Sequence, residues 1–146
     1  MPGKSPLPVI GWREWITLPD LGIERIKAKI DTGARSSSLH AYDIRGFKRR
    51  GVSWVRFRVH PVQRNHRIAV EAEARVIGKR TVRTSGGHDT LRWVIETDAL
   101  LGGARLPIEI TLTRRDAMGF RMLLGRQAVR GHFLVDPGRS FLFGKL

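Results

Sequence analysis

The sequence has no cysteine and a single tyrosine, and its 13 acidic residues face 27 Lys and Arg across 146 residues. Without cysteine there is no disulfide, no thiolate zinc site and no cysteine nucleophile. No apolar run approaches the roughly 18 residues that a membrane-spanning helix needs. Near the N-terminus, Lys4 is followed by Pro6 and Pro8 and not by an apolar stretch. The expectation is therefore no signal peptide, no membrane partner and a cytoplasmic location. A glycine-rich phosphate loop ending in Gly-Lys-Ser/Thr is also missing, and so is a His-Glu-x-x-His pair.

What is present in excess is positive charge. The formal net charge is +14. Between Tyr42 and Arg83, twelve Arg or Lys stand against Asp43, Glu71 and Glu73, an excess of nine. A field of this sign attracts polyanions such as acidic peptides or nucleic acid, or it is simply a solvated basic surface.

The dominant hydrophobic period is two. Val70, Ala72, Ala74 and Val76 alternate with Glu71, Glu73 and Arg75, and Trp54, Phe57 and Val59 sit among Arg56, Arg58 and His60. Such alternation marks half-buried strands. Further strands are expected at 10–18, 23–30, 91–97, 106–113, 122–124, 133–135 and 140–143. Glycine- and proline-bearing turns separate them, among them Arg50-Gly51 and Gly102-Gly103. Only 126–130, after Gly125, reads as a helix. The pattern predicts an all-β barrel with one short helix, a loose arm over residues 1–8 and one domain over 9–146.

One segment carries chemistry. Ile26-Lys27-Ala28-Lys29-Ile30 reads as a strand, and Asp31-Thr32-Gly33-Ala34 ends it. A glycine there permits a tight loop with positive φ. A carboxylate on such a loop is held on a rigid scaffold, as catalysis requires. An ordinary turn whose aspartate bonds its own backbone would look the same. Downstream, Met122-Leu123-Leu124-Gly125-Arg126 is an apolar strand that ends in glycine before the short helix.

This pairing resembles the retropepsin family of acid-protease β-barrels. Five blocks, at residues 10–15, 27–35, 108–113, 118–126 and 133–140, are similar in order to one bacterial and archaeal family. That family is labelled both "ATP-dependent zinc protease" and "retropepsin-like aspartic endopeptidase". The resemblance implies one aspartate per chain and a dyad of two Asp31 carboxylates in a homodimer. In that reading Asp31 is the acid/base, Thr32 locks the two loops across the axis, and Gly33 lets substrate backbone approach. Substrate-binding positions are expected at Ala34, Arg35, Ser36, Gly87, His88 and Arg126. The segment Ser85-Gly86-Gly87-His88 is either a mobile flap or a plain hairpin turn.

The two labels imply different chemistry. A zinc peptidase needs about three protein ligands and an open position. His40, His60, His66, His88 and His132 show no ligand spacing, so no metal and no other cofactor is expected. The sequence also departs from the usual retropepsin: Arg35, Ser36, Ser37 and Ser38 follow the motif where an acidic residue commonly pairs with the arginine after the downstream glycine. Arg126 thus lacks that partner, and the site is more basic than in a typical relative. Arg35 either meets a substrate carboxylate or props the loop by bonding backbone carbonyls.

The expected function is an aspartic-type endopeptidase acting on acidic, glutamate-rich peptides or tails. Members of this family are similar to proteins thought to work beside ATP-grasp glutamate ligases, which makes such a ligase the expected functional partner. The alternative is a basic β-module without catalysis that binds nucleic acid or the ribosome through Tyr42, Trp54 and Phe57 among arginines.

Overall fold

The computed structural model describes residues 7–62, 68–83, 86–114 and 119–143. Most of the arm, together with His66, Ser85 and Met118, lies outside the described residues. Among the described residues no helix is long and apolar enough to cross a membrane.

The strands are β1 (Val9–Gly11), β2 (Arg13–Leu18), β3 (Ile23–Asp31), β4 (Ser37–His40), β5 (Tyr42–Arg49), β6 (Val52–Val59), β7 (Val70–Arg83), β8 (Asp89–Leu101), β9 (Ala104–Thr113), β10 (Met122–Gly125) and β11 (Leu134–Asp136). One helix, α1 (Arg126–Val129), follows β10. The order β2-β3-β10-β4-β9-β8 returns on itself because Thr17 of β2 opposes Leu100 of β8, and this closes a six-strand barrel. Strands β7, β6 and β5 continue outward from β8 as an open extension. β1 and β11 form a separate parallel pair. The fold is the all-β barrel with one short helix that the alternation predicts.

Period two explains which side chains fill the barrel. In β2 the even positions Glu14, Ile16 and Leu18 are buried, and in β3 Ile26, Ala28 and Ile30 are buried. Leu39, Ile95, Ile110, Leu112 and Met122 complete the centre. Each buried large aliphatic side chain contributes about 1.5–3 kcal/mol. The extension obeys the same rule. Its inner face, Val55, Phe57, Val59, Ala72 and Ala74, belongs to the same core. Phe57 is therefore core and not a surface aromatic, and Tyr42 stacks on His60 at 4.6 Å.

Three expectations need correction. The strand at 10–18 breaks into β1 and β2, between which Ile30 N–H donates to the carbonyl of Trp12. Two strands, β4 and β5, were not expected. Residues 140–143 do not form a strand: Phe141 has φ 53°, and the amides of Leu142 and Phe143 donate to the Glu14 carboxylate at 2.9 and 3.1 Å. Glu14 also accepts from Gly11 N–H at 2.7 Å, so one buried carboxylate ties the C-terminal segment to β1.

Candidate active site

Asp31 is the last residue of β3, and its side chain is fixed by the loop it opens. Its Oδ1 accepts from the amides of Gly33 at 3.0 Å and Ala34 at 3.3 Å. Hydrogen bonds from backbone amides to a carboxylate are charge-assisted and orient it. Gly33 is not in the left-handed region as expected. A Cβ there would lie 3.2 Å from Asp31 Oδ1, a tight contact that would press on the carboxylate.

The loop is held from behind by β10 and α1. β10 lies between β3 and β4: Leu124 and Gly125 register in parallel with Ile30 and Asp31, while Met122 and Leu123 register antiparallel with Leu39 and Ser38. The Gly125 amide donates to the buried Ser37 Oγ at 3.0 Å. A Cβ on Gly125 would sit 2.5 Å from the carbonyl carbon and oxygen of Ser36, so only glycine fits against the returning chain.

Three loop carbonyls are then taken up. The first amides of α1 serve two of them, Arg126 N–H to Ala34 at 2.7 Å and Gln127 N–H to Arg35 at 3.0 Å. The Arg126 guanidinium donates to the Thr32 carbonyl at 3.2 Å. Arg126 thus props the loop by its backbone carbonyl, in place of the acidic partner that the motif lacks. Asp31, Thr32, Gly33, Ala34, Arg35, Ser36 and Arg126 therefore form one constellation, with Thr32, Gly33 and Arg35 exposed. Gly87 and His88 belong to a different element, the turn between β7 and β8, where Gly87 takes φ 82°.

Two residues of this surface went unnoticed in the sequence. Strand alternation puts Lys27 and Lys29 on the same face as Asp31, opposite the buried Ala28 and Ile30. Register places Lys29 beside Leu123, and Leu123 beside Ser38, and all three are half-buried. Lys27 lies 5.4 Å from the ring of Phe120. The alternation Lys27-Ala28-Lys29-Ile30-Asp31 was the signal that could have found them.

The histidines are dispersed. His40 pairs with the Arg114 carbonyl and with Arg121, and His60 with the Ile68 carbonyl. No group of three His, Asp or Glu converges among the described residues. A groove of about 340 Å³ is lined by Ile44, Leu91, Trp93, Leu112 and Arg114, among others, none of them from the Asp31 loop.

The family model for the retropepsin-like aspartic endopeptidase RimB matches residues 9–145. A probable alpha-L-glutamate ligase of Shewanella pealeana is 47% identical over 137 residues, which cover 94% of this chain. A protein of the same description from Parasynechococcus marenigrum is 46% identical over 138 residues. The chain spans about 30% of the length of these curated relatives. The crystal structure of Lpg0085 from Legionella pneumophila, described as of unknown function, has a TM-score of 0.79 and 30% identity, covering 93% of this chain and 98% of that one. With a closed barrel, an aspartate loop backed by a strand ending in glycine, and a match over nearly the whole length, the chain belongs to the RimB-like family of retropepsin-like aspartic endopeptidases.

Proposed function

We infer that the chain is an aspartic-type endopeptidase whose active form is a homodimer, with Asp31 of each copy at the two-fold axis. The observation that carries this reading is the Asp31 loop itself. Oδ1 is pinned by two amides while three loop carbonyls are held by α1 and Arg126, so the carboxylate is preorganised. Two such carboxylates at one axis share a proton, because like charges that close resist joint ionisation. The ionised member takes a proton from water, and the water oxygen attacks the peptide carbonyl. The protonated member donates to the carbonyl oxygen. Collapse of the tetrahedral intermediate then breaks the C–N bond as a proton passes to the leaving nitrogen.

An exposed apolar patch supports the dimer reading. Leu7, Val9 and Leu134 are exposed apolar side chains, and Val9 and Leu134 are register partners on the small β1–β11 sheet. An exposed apolar patch of this kind suits contact with a second copy.

Charge supports the substrate class. Lys27 and Lys29 share the face of Asp31, and Arg35 is exposed on its loop. Glutamate-rich peptides or tails supply carboxylates for each of these cations. Relatives named as glutamate ligases fit the same reading. This chain accounts for about 30% of their length. Ligation of glutamate would then belong to the remainder, and a ligase of that type is the functional partner whose product this domain trims.

The test is hydrolysis of a glutamate-rich peptide by the purified chain. Activity is expected to survive chelator and to fall about 10²–10⁴-fold in Asp31→Asn, with an unchanged circular dichroism spectrum. Loss of activity on chelation with recovery on added zinc would overturn the aspartic reading.

A further inference from the structure

The outward face of the β5–β6–β7 extension carries residues that peptide hydrolysis does not use. Phe57, Val55 and Val59 of β6 face the core, so Trp54, Arg56 and Arg58 face outward. Register fixes their neighbours: Phe47 stands directly opposite Trp54, Arg45 opposite Arg56, and Arg75 opposite Trp54 on the other side. Both aromatic rings are half-buried and remain partly open to solvent.

The charges on this face do not balance. Glu73 meets Arg49 at 2.6 Å and Arg56 at 3.7 Å, and Glu71 meets Arg58 at 3.5 Å. Two carboxylates thus serve three arginines, while Arg45 and Arg75 enter no ion pair among the described residues. Arg45 directly opposite Arg56 is a like-charge cross-strand pair, which destabilises a sheet. An anion lying across the strands would relieve it. Guanidinium groups also lie over the rings, Arg49 at 4.6 Å from Trp54 and Arg56 at 5.4 Å from Phe47.

We propose that this face is a binding site for single-stranded nucleic acid, with bases stacked on Phe47 and Trp54 and phosphates on Arg45, Arg56 and Arg75. Neighbouring strands lie about 4.8 Å apart, so Phe47 and Trp54, register partners on β5 and β6, project from the same face. A flat sheet with adjacent aromatics offers stacking for two or three bases, and arginines beside it track the backbone. An acidic peptide would meet only the arginines, whereas bases can also stack on the two rings in exchange for the guanidinium groups over them, which is why nucleic acid is the favoured occupant. The site is separate from the Asp31 loop and does not depend on the peptidase reading.

Fluorescence anisotropy with a labelled twelve-residue oligouridine at low salt tests the proposal, with a labelled oligoglutamate of equal charge as competitor. Binding is expected to weaken about ten- to a hundredfold in Trp54→Ala and to be largely kept in Trp54→Phe. Arg45→Gln and Arg75→Gln are expected each to lower the slope of log affinity against log salt by roughly 0.7. Circular dichroism and thermal unfolding of each variant serve as folding controls that do not depend on peptide cleavage. No binding by the wild-type chain would overturn the site. So would equal affinity in Trp54→Ala, which would mark a merely electrostatic surface, or oligoglutamate displacing oligouridine at equal concentration, which would mark an acidic-peptide site.

Discussion

The closed barrel and its three-strand extension are built from one alternating pattern but use their polar groups differently. In the barrel and at the Asp31 loop, several polar side chains bond backbone. Ser37 Oγ holds the Gly125 amide, Arg126 holds the Thr32 carbonyl, and Glu14 holds three amides. On the extension, polar groups point at water and at one another, as five arginines around two glutamates. Buried backbone groups that lose a partner carry a desolvation penalty, whereas exposed ion pairs are weak. The first arrangement therefore fixes a geometry, and the second sets a field.

The comparison is broken most directly at Gly125. In Gly125→Ala the new methyl meets the backbone of Ser36, and the loop or β10 must shift. Overpacking of this kind costs about 1–3 kcal/mol. Displacing the loop by even ~1 Å lowers turnover about a hundredfold. Thermal unfolding and peptide hydrolysis together check this, and a variant with normal turnover would show that the fit around Gly125 does not position the site.

Next comes Glu14→Gln. The amide keeps one acceptor oxygen but turns an NH2 toward backbone donors, so one or two of the amides of Gly11, Leu142 and Phe143 lose their acceptor. The expected loss is about 1–3 kcal/mol for each amide left buried without one. Hydrogen exchange should report it locally, with faster exchange at residues 142–143 than in the barrel strands.

How far the sequence could be read divides along the same line. The Asp31 loop was legible because Asp-Thr-Gly, the strand before it and the apolar strand ending at Gly125 are each local signals. The barrel strands were legible because their alternation is clean. β5 was not. A register shift between Tyr42 and Arg45 interrupts the alternation at its start, and Asp43 sits at φ 51°. Gly46 weakens the strand pattern but is needed because a Cβ there would meet the Trp93 ring at 2.7 Å. β4 begins in Ser37-Ser38, which carries no strand signal, and its partners β9 and β10 are far along the chain. Residues 140–143 look like a strand, and only the distant Glu14 explains why their amides pair otherwise.

Specificity sharpens the comparison with a smaller effect on stability. If the cations near Asp31 read substrate carboxylates, Lys29→Met and Arg35→Ala each lower the preference for a glutamate peptide over its glutamine version. A charge-assisted bond is worth roughly 1.5–3 kcal/mol, or about ten- to a hundredfold in that ratio. Added salt should mimic the exposed Arg35 more than the half-buried Lys29. A ratio unchanged in both variants would show that these cations do not select the substrate.

The smallest expected change in stability separates the two regions best. Glu73 sits on the extension with Arg49 at 2.6 Å and Arg56 at 3.7 Å, and its side chain is 32% exposed. In the barrel, replacing a carboxylate such as Glu14 strands backbone amides. Here Glu73→Gln strands nothing, because both guanidinium groups reach water and their aromatic neighbours Phe47 and Trp54. The expected loss is about 0.2–1 kcal/mol, and less at high salt. The same change removes one of two negative charges from the face and frees Arg49 and Arg56 for an external anion. Oligouridine binding should therefore tighten while stability falls slightly. Those opposite signs mark a surface organised for a ligand and not for the fold. A variant that loses several kcal/mol, or binds oligouridine less well, would instead make Glu73 part of the extension's own scaffold.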